Sequence, residues 1–316
     1  MSGINRREFL GQAAWGTAAA ALLARTPSTA AAERRFKLAL SPGSIGVSVP
    51  QPEVIDLAIK HGFEALEANA GYLASLPEAQ LKELLDRMKA KGIAWAAAGL
   101  PVDFRQDETK FNDGMGALRK VAPALQKAGV TRVTTWVMPC HRDLTYLENF
   151  KRHSARLRAA AGVLADHGQR LGLEYVGTQT LRNSQKFPFL HTLAEGRELI
   201  EAIGTGNVGF VLDSWHWWNA GETADDILAL KNSDIVAVDL NDAPAGIPRE
   251  QQIDGQRELP AATGVIPVAS FLGALRKVGY DGPVRAEPFN KALNAMDNDA
   301  ACAATISALR KAIETA

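Results

Sequence analysis

Apolar segments alternate with amphipathic segments along the chain from Phe36 onward. The apolar segments are nearly continuous in aliphatic residues, which is typical of strands that are buried on both faces. We predict such strands over residues 36–41, 63–69, 93–101, 130–139, 171–177, 208–214, 234–242 and 282–289. The segments between them repeat apolar residues at helical spacing. We predict helices over residues 52–62, 77–92, 110–129, 144–170, 191–203, 222–231, 267–278 and 297–315.

Eight strand–helix pairs of this length predict an α/β fold of the (β/α)8 class, a TIM barrel in a single domain. Several predicted helices stop at a glycine, such as Gly62 and Gly129, and the next strand follows soon after. A doubly wound open sheet is the main alternative. No G-x-G-x-x-G motif follows the first strand, so the usual sign of a dinucleotide-binding sheet is missing.

The N-terminal segment differs from the rest of the chain. Arg6 and Arg7 precede a short Ala-rich apolar stretch, and Ala30 and Ala32 form an A-x-A pattern. This arrangement resembles a bacterial twin-arginine export signal; an uncleaved membrane anchor is the alternative. The stretch is too short and too rich in alanine to span a bilayer well. We therefore predict an export signal over residues 1–32 and a catalytic barrel over residues 33–316. We expect the twin-arginine translocase to be a partner during export, and we expect a periplasmic location with no stable membrane span.

Charge and cysteine content argue against several classes of protein. The chain has 35 Lys and Arg residues against 35 Asp and Glu residues and no basic tract, so nucleic acid is not expected as a partner. Cys140 and Cys302 are far apart and form no C-x-x-C pair. They give no sign of a thiolate zinc site or a disulfide framework, although a single bond between them stays open. The oligomeric state is open too, with an oligomer among the alternatives.

Each of four successive strands, the fifth to the eighth, carries an acidic residue towards the same end. In a TIM barrel that end is the mouth at which active sites lie. Four negative charges converging there repel one another unless a cation lies between them, although any one acid could instead be a cap or an ion-pair partner. Oxygen ligands suit Mg²⁺ or Mn²⁺, with Co²⁺ or Zn²⁺ as alternatives. The pattern predicts one divalent metal ion bound by Glu174, Asp213, Asp239 and Glu287.

Further polar and aromatic residues fall near the same mouth. His216 lies three residues after Asp213 and is expected to contact substrate, the alternative being a packing or capping role. Trp136 lies at the end of the fourth strand and is a candidate for stacking on a sugar ring. Strand ends and the loops beyond them add three more candidates for substrate binding: Glu67, Asn241 and Arg249.

These motifs resemble those of the xylose-isomerase-like TIM barrels of the sugar phosphate isomerase/epimerase superfamily. The resemblance covers the chain after residue 32 and rests on GLEYVG, VGFVLDSWHWWNAGE, VAVDLNDAP and GYDGPVRAEPF, of which the D-x-x-H segment is the most specific. It implies that Glu174, Asp213, the seventh-strand residue and Glu287 bind the metal. It also implies that Glu174 and Glu287 flank the substrate as an acid–base pair and that His216 contacts a substrate oxygen.

The sequence departs from this family pattern at two places. The seventh-strand ligand is typically histidine, whereas this chain has Asp239. An all-carboxylate site would favour Mg²⁺ or Mn²⁺ over Zn²⁺; alternatively, Asn241 or a water molecule takes the place of Asp239. The loop RELPAATGVIP also lacks the Gly-rich, acidic form common in the family, and this leaves the identity of the substrate open.

The chemistry implied is proton transfer next to a carbonyl group. A metal ion chelating two neighbouring oxygens would stabilise an enediolate, and Glu174 and Glu287 would move the proton. Opposite-face transfer gives epimerisation, one-face transfer gives aldose–ketose isomerisation, and loss of a β-substituent gives a lyase. Because phosphorylated sugars are mainly cytoplasmic, we predict an isomerase or epimerase of an unphosphorylated carbohydrate. The alternatives are a lyase or dehydratase of a keto-sugar or 3-keto-glycoside, and a non-catalytic carbohydrate-binding protein.

Overall fold

Eight parallel strands close into a barrel in the computed structural model, which describes residues 34–315. Each strand pairs with its neighbours in chain order, and the first pairs with the last. The strands are Lys37–Leu40, Ala65–Ala68, Ala94–Gly99, Arg132–Val137, Arg170–Tyr175, Val208–Asp213, Ile235–Asp239 and Pro283–Arg285. The prediction of a single TIM barrel is confirmed. The predicted export signal, residues 1–32, lies outside the described residues.

A helix follows each barrel strand and covers the outside of the barrel. These helices are Gln51–His61, Glu78–Ala90, Glu108–Lys127, Tyr146–Ala165, Leu193–Ile203, Ala224–Leu228, Val268–Lys277 and Asn298–Glu314. Two of them begin with a capping box, formed by Thr145 with Glu148 and by Thr192 with Glu195. In residues 34–315, none of the helices combines the length and the apolarity needed to cross a membrane.

Short additional elements lie in the loops that leave the barrel strands, and the apolar pattern did not predict them. Four are helices of four to six residues, Ala70–Ser75, Gln179–Arg182, Ser214–Asn219 and Lys291–Asn294. Cys140–His141 also pairs in antiparallel fashion with Phe187–Pro188. These elements shape the mouth, because they follow the C-terminal ends of strands.

Small residues fill part of the barrel beneath the mouth. Ala39, Ala65 and Ala96 form their own buried cluster, apart from the large aliphatic core. Gly172 in the fifth strand also leaves no room for a larger residue, because an added Cβ would lie 2.9 Å from the Val211 side chain. These small side chains pack closely in the barrel interior, and the polar strand ends of the mouth lie directly above them.

Candidate active site

A cavity of about 280 Å³ lies at the C-terminal mouth of the barrel. Its walls come from the first six strands and the eighth, together with loops that follow them. Residues lining it include Ser41, Glu67, Trp136, Glu174, Arg285 and Glu287. Four of these six residues were candidates from the sequence, and the structure brings them together in one space.

Two buried arginines reach in among the acidic residues, and sequence analysis missed both. Arg257 donates from Nη1 to Asp213 Oδ2 at 2.7 Å and to Glu287 Oε2 at 3.3 Å. Its Nη2 donates to Asp254 Oδ1 at 3.0 Å. Burial disfavours the charge of Arg257, but Asp213 and Asp254 outweigh burial and raise the pKa of the guanidinium. Arg257 therefore stays charged and binds three carboxylates at once.

Arg285 holds the seventh-strand acid. It lies in register with Asp239 on the neighbouring strand. Its Nε and Nη2 donate to the two Asp239 oxygens at 2.5 and 2.9 Å. Such a bidentate pair is strong, and both partners are buried. Asp239 is therefore bound on both oxygens by a guanidinium, in the position where the sequence predicted a metal ligand.

Glu174 and Glu287 are the least engaged of the four predicted ligands. Glu174 Oε1 is buried and has no hydrogen-bond partner among the described residues. Glu287 Oε1 has only a long contact of 3.5 Å from Ser44 Oγ, and its Oε2 has the long contact from Arg257. Both glutamates therefore keep lone pairs free for a ligand or a proton.

Within residues 34–315, two groups of three side chains bring possible metal-ligating atoms within 4.8 Å of one another. One group is Glu174, Asp213 and His216, and the other is Glu174, Asp239 and Glu287. With Asp254 included, the five carboxylates around Arg257 and Arg285 carry a charge of −5 when ionised, and the two arginines carry +2. The cluster keeps a surplus of negative charge and oxygen donors, so the donor set fits a divalent cation.

The same surplus of negative charge shifts the acidic groups towards their neutral forms. Burial, followed by the charge of Glu287, raises the pKa of Glu174 well above its ordinary value. Burial and the charge of Asp239 raise the pKa of Glu287 to about 8. Burial raises the pKa of Asp213 to about 6 against the opposing charge of Arg257. With no cation bound, Glu287 would therefore keep a proton at neutral pH, and Glu174 is shifted towards its protonated form.

His216 is fixed by the chain around it. It lies in the helix Ser214–Asn219, which begins where the Asp213 carboxylate accepts a hydrogen bond from Trp215 N at 2.8 Å. Gly177 allows this helix to approach the fifth-strand loop, because an added Cβ would lie 2.3 Å from His216 O. The Gly177 amide donates to His216 Nδ1 at 3.3 Å.

The imidazole of His216 faces the acidic cluster in its neutral form. Its Nε2 lies 3.8 Å from Glu174 Oε1 and 3.2 Å from Arg257 Nη2. Burial, followed by the charge of Arg257, lowers the pKa of His216 to about 3. At neutral pH the ring is therefore a neutral hydrogen-bonding group beside the two glutamates.

The remaining candidates fall into different places. Asn241 donates to Asp213 Oδ1 at 2.9 Å and accepts from Glu287 N at 2.8 Å, so it ties two strand ends together. Glu67 accepts from Ser41 Oγ at 2.8 Å on the opposite wall.

Two candidates lie further out on the mouth. Trp136 lines the cavity and is 40% exposed, with the Arg105 guanidinium 4.3 Å from the ring centroid. Arg249 is exposed, stacks on Trp218 at 4.7 Å, and is not part of the cavity wall. The structure thus brings Trp136 to the site but leaves Arg249 outside it.

One of the missed arginines could have been found from its spacing. Arg285 precedes Glu287 by two residues, and alternation along a strand places such residues on the same face. Arg257 had no comparable signal, because it lies in an irregular loop 44 residues after Asp213. Only its presence in the departing segment RELPAATGVIP drew attention to that loop.

Residues 55–312 match the family model described as xylose isomerase-like TIM barrel. The chain belongs to this family. Among relatives of this xylose isomerase-like TIM barrel is an inosose isomerase of Bacillus velezensis, 24% identical over 244 residues, which cover 74% of this chain and 82% of the relative.

Solved structures agree with this family assignment. A xylose isomerase domain protein from Alicyclobacillus acidocaldarius subsp. acidocaldarius is 30% identical, with a TM-score of 0.76 and coverage of 89% of this chain and 99% of that one. The IolI protein, solved with a zinc atom, is 20% identical, with a TM-score of 0.73 and coverage of 88% and 98%. The likeness to IolI shows the fold.

Proposed function

We propose that the protein is a divalent-metal-dependent isomerase or epimerase that acts through an enediolate on an unphosphorylated carbohydrate. The observation that carries the proposal is the placement of Glu174 and Glu287 in one cavity of about 280 Å³. Both glutamates have raised pKa values and free lone pairs, as proton transfer at carbon requires. The relationship to an inosose isomerase supports this class of reaction.

We infer that Glu174 and Glu287 would bind the metal ion together with Asp213 and Asp239. The two aspartates would share oxygens with Arg257 and Arg285, since each carboxylate oxygen has two lone pairs. The ligand chemistry favours Mn²⁺ or Mg²⁺, with Co²⁺ or Zn²⁺ as alternatives. The zinc atom in the IolI structure supports Zn²⁺ as one of these alternatives. Such an ion would polarise a hydroxy-carbonyl group and stabilise negative charge on its oxygens.

The protein's own groups would handle the proton. Since the charge of Glu287 raises the pKa of Glu174, one glutamate would be ionised while the other holds a proton. The ionised glutamate would remove a proton from carbon, and the protonated one would return a proton. Neutral His216 would hold a substrate oxygen, and Glu67 would accept from a sugar hydroxyl. The exposed face of Trp136 would bound the sugar ring.

A screen of ketoses and keto-glycosides with added Mn²⁺ tests the proposal. We expect inversion at a carbon next to the carbonyl, or carbonyl migration to the neighbouring carbon, followed by NMR in deuterated water. Release of a substituent without either change would favour a lyase, which shares the first step, and would overturn the isomerase assignment.

Replacement of a single glutamate separates an enzyme from a binding protein. We expect Glu287→Gln to reduce turnover by about 10²–10⁴-fold, because it removes a group that moves the proton. Glu250→Gln, on an exposed turn, is the matched control and should keep full turnover. Sugar binding by both proteins, with no turnover even in the unmodified chain, would support a non-catalytic carbohydrate-binding protein instead.

We also propose that residues 1–32 direct export through the twin-arginine translocase to the periplasm. The supporting features are Arg6, Arg7 and the A-x-A pattern at Ala30 and Ala32. In a Gram-negative host, the unmodified chain should be released with the periplasmic fraction. The pair Arg6→Lys and Arg7→Lys should keep it in the cytoplasm while preserving charge. Equal export of both chains would contradict the proposal.

A further inference from the structure

A second, larger cavity opens beside the mouth and shares Trp136 with it. Its volume is about 790 Å³, compared with about 280 Å³ at the mouth. Loops after the third, fourth and fifth strands and the first turns of the helix Tyr146–Ala165 form its walls. Pockets for small ligands commonly measure about 300–1,000 Å³, so the mouth suits one small ring and the second cavity has room for a further group.

The wall of this second cavity has a surplus of positive charge. It contains four basic residues, Arg105, Arg142, Arg152 and Lys186, and two acidic ones, Asp103 and Asp143. Two of the basic residues pair with these acids, Arg105 with Asp103 and Arg142 with Asp143, both at 3.1 Å. The other two, Arg152 and Lys186, have no carboxylate within ion-pair distance among the described residues.

Arg152 is the more informative of these two cations because it is half-buried. Its Nη2 donates to Asn149 Oδ1 at 3.0 Å, but its buried Nε has no hydrogen-bond partner in residues 34–315. Burial, followed by the charge of Arg156, lowers the pKa of Arg152. The fold thus holds a guanidinium where both burial and a like charge oppose it, and an anion would relieve both effects.

His153 adds an acceptor to the same wall. Its Nδ1 lies 2.9 Å from the carbonyl oxygen of Asn149, so Nδ1 must be the donor. Burial and the charge of Arg152 lower the pKa of His153 to about 3, so the ring is neutral and Nε2 is an acceptor. This Nε2 is buried and has no partner among the described residues.

The ring of His153 has a fixed orientation. It packs against Phe104 and Phe189, with both centroid distances 5.1 Å. His153 itself is 1% exposed. A positioned acceptor on the same wall as an uncompensated guanidinium matches a ligand that carries both an oxyanion and a hydroxyl group.

We propose that this cavity is a subsite for an oxyanion-bearing part of the carbohydrate substrate, with a carboxylate or sulfate held by Arg152 and Lys186. The reacting ring would lie at the mouth, and Trp136 would separate the two positions. The assignment of the ligand as substrate rests on the proposed function. The subsite itself rests on the charge and the unpartnered atoms of the wall.

Direct binding tests the subsite without turnover or metal. Calorimetry on the full metal-free chain at low ionic strength compares D-glucuronate, D-glucose 6-sulfate and D-glucose. We expect at least one acidic sugar to bind at least tenfold more tightly than glucose, and the stronger of the two identifies a carboxylate or a sulfate as the preferred group. Equal affinities for all three sugars would overturn the proposal.

Two substitutions locate the binding. Arg152→Gln should lower the affinity for the acidic sugar at least tenfold. Lys186→Gln should also lower this affinity, and because Lys186 is exposed, its replacement should not disturb folding. Arg119→Gln, on the exposed face of the helix Glu108–Lys127, removes the same charge elsewhere and should leave the affinity unchanged. Unchanged affinity in both Arg152→Gln and Lys186→Gln would contradict the subsite.

The subsite and the proposed function can fail separately. Glu174→Gln should abolish turnover and keep the ratio of affinities for the acidic sugar and D-glucose within twofold, because Glu174 would contact the ring that both sugars share and does not line the second cavity. Acidic-sugar binding without turnover of any carbohydrate would remove the proposed function and keep the subsite. Turnover of neutral ketoses with no preference for an acidic sugar would do the reverse.

Discussion

Two neighbouring cavities at one end of the barrel carry opposite surplus charge. At the mouth, four carboxylates face two guanidinium groups. In the second cavity, four basic side chains face two carboxylates. Trp136 lines both cavities, so the sign of the surplus changes across one aromatic side chain.

The two cavities also differ in what supports their charges. The mouth acids come from strand ends, and buried arginines bind three of the four. The second cavity combines exposed loop residues, such as Arg142 and Lys186, with Arg152 and His153 on the helix Tyr146–Ala165. Loops vary readily on a fixed scaffold. Under the proposed function, the strand ends would carry out proton transfer, and the residues around the second cavity would select the substrate.

Loss of Arg257 should have the largest effect. Arg257→Met leaves Asp213, Asp254 and Glu287 without their shared cation, and breaking a buried ion pair costs about 3–5 kcal/mol. We expect the free energy of unfolding, measured with urea in the presence of a chelator, to fall by this amount.

A second substitution checks the cause of that loss. Adding Asp213→Asn to Arg257→Met removes one unpaired charge and should restore part of the stability. A loss below about 1 kcal/mol in the single variant would show that the acids do not depend on the guanidinium.

The pair formed by Asp239 and Arg285 should show strong coupling. Together they carry no net charge, as does the neutral histidine typical of the seventh strand in this family. Asp239→His leaves Arg285 buried alone, and Arg285→Met leaves Asp239 alone, so each should cost about 3 kcal/mol. The double variant should lose much less than the sum, with a coupling energy of about 2 kcal/mol or more.

Metal titration of the same variants sharpens this comparison. If Asp239 with Arg285 replaces a histidine, the double variant should bind Mn²⁺ or Zn²⁺ at least as well as the unmodified chain. If the stability losses of Asp239→His and Arg285→Met add up in the double variant, and the double variant does not bind metal, a histidine does not replace the ion pair of Asp239 and Arg285.

The sequence predicted the barrel well because both of its signals are local. Buried parallel strands need continuous apolar runs, and the helices between them need an apolar face. The strand predicted over 208–214 is observed as Val208–Asp213, and the helix predicted over 52–62 as Gln51–His61. The short helices at the mouth were not predicted, because four to six residues are too few to show a helical period of apolar positions.

The site was predicted in its acids but not in its cations. Strand ends converge in a barrel, so Glu174 and Asp213 could be placed from their strands alone. The contact of Arg257 with Asp213 joins a loop to a strand and depends on tertiary packing. Asp239 illustrates the difference: the sequence placed it among the acids of the mouth but did not predict that Arg285 donates to both of its oxygens.

A smaller change in the free energy of unfolding is expected when the pH is raised, and its size tests the raised pKa of Glu287. A carboxyl group with a raised pKa binds more protons when folded, so its contribution is present below its unfolded pKa and is lost as pH rises through the folded value. With a pKa of about 8, Glu287 should make the metal-free chain lose about 1 kcal/mol between pH 7 and 8.5.

Comparison with Glu287→Gln isolates this contribution. The buried His153 and His216 have pKa values of about 3, so their effects lie below pH 7 and are common to both proteins. Equal slopes in urea unfolding between pH 7 and 8.5 would show that Glu287 is already ionised at neutral pH. Saturating Mn²⁺ should reduce the slope of the unmodified chain, because bound metal replaces the protons.

The smallest effect is expected at Arg249, which was a substrate-binding candidate from the sequence. Its guanidinium stacks on Trp218 at the surface, outside the cavity wall. Arg249→Gln should therefore change the free energy of unfolding by no more than about 1 kcal/mol and KM by less than twofold. Lys291→Gln, another exposed cation, is the matched control. A tenfold rise in KM for Arg249→Gln alone would mean that the loop carrying Arg249 closes over the mouth when substrate binds, and substrate selection would then extend to the loop after the seventh strand.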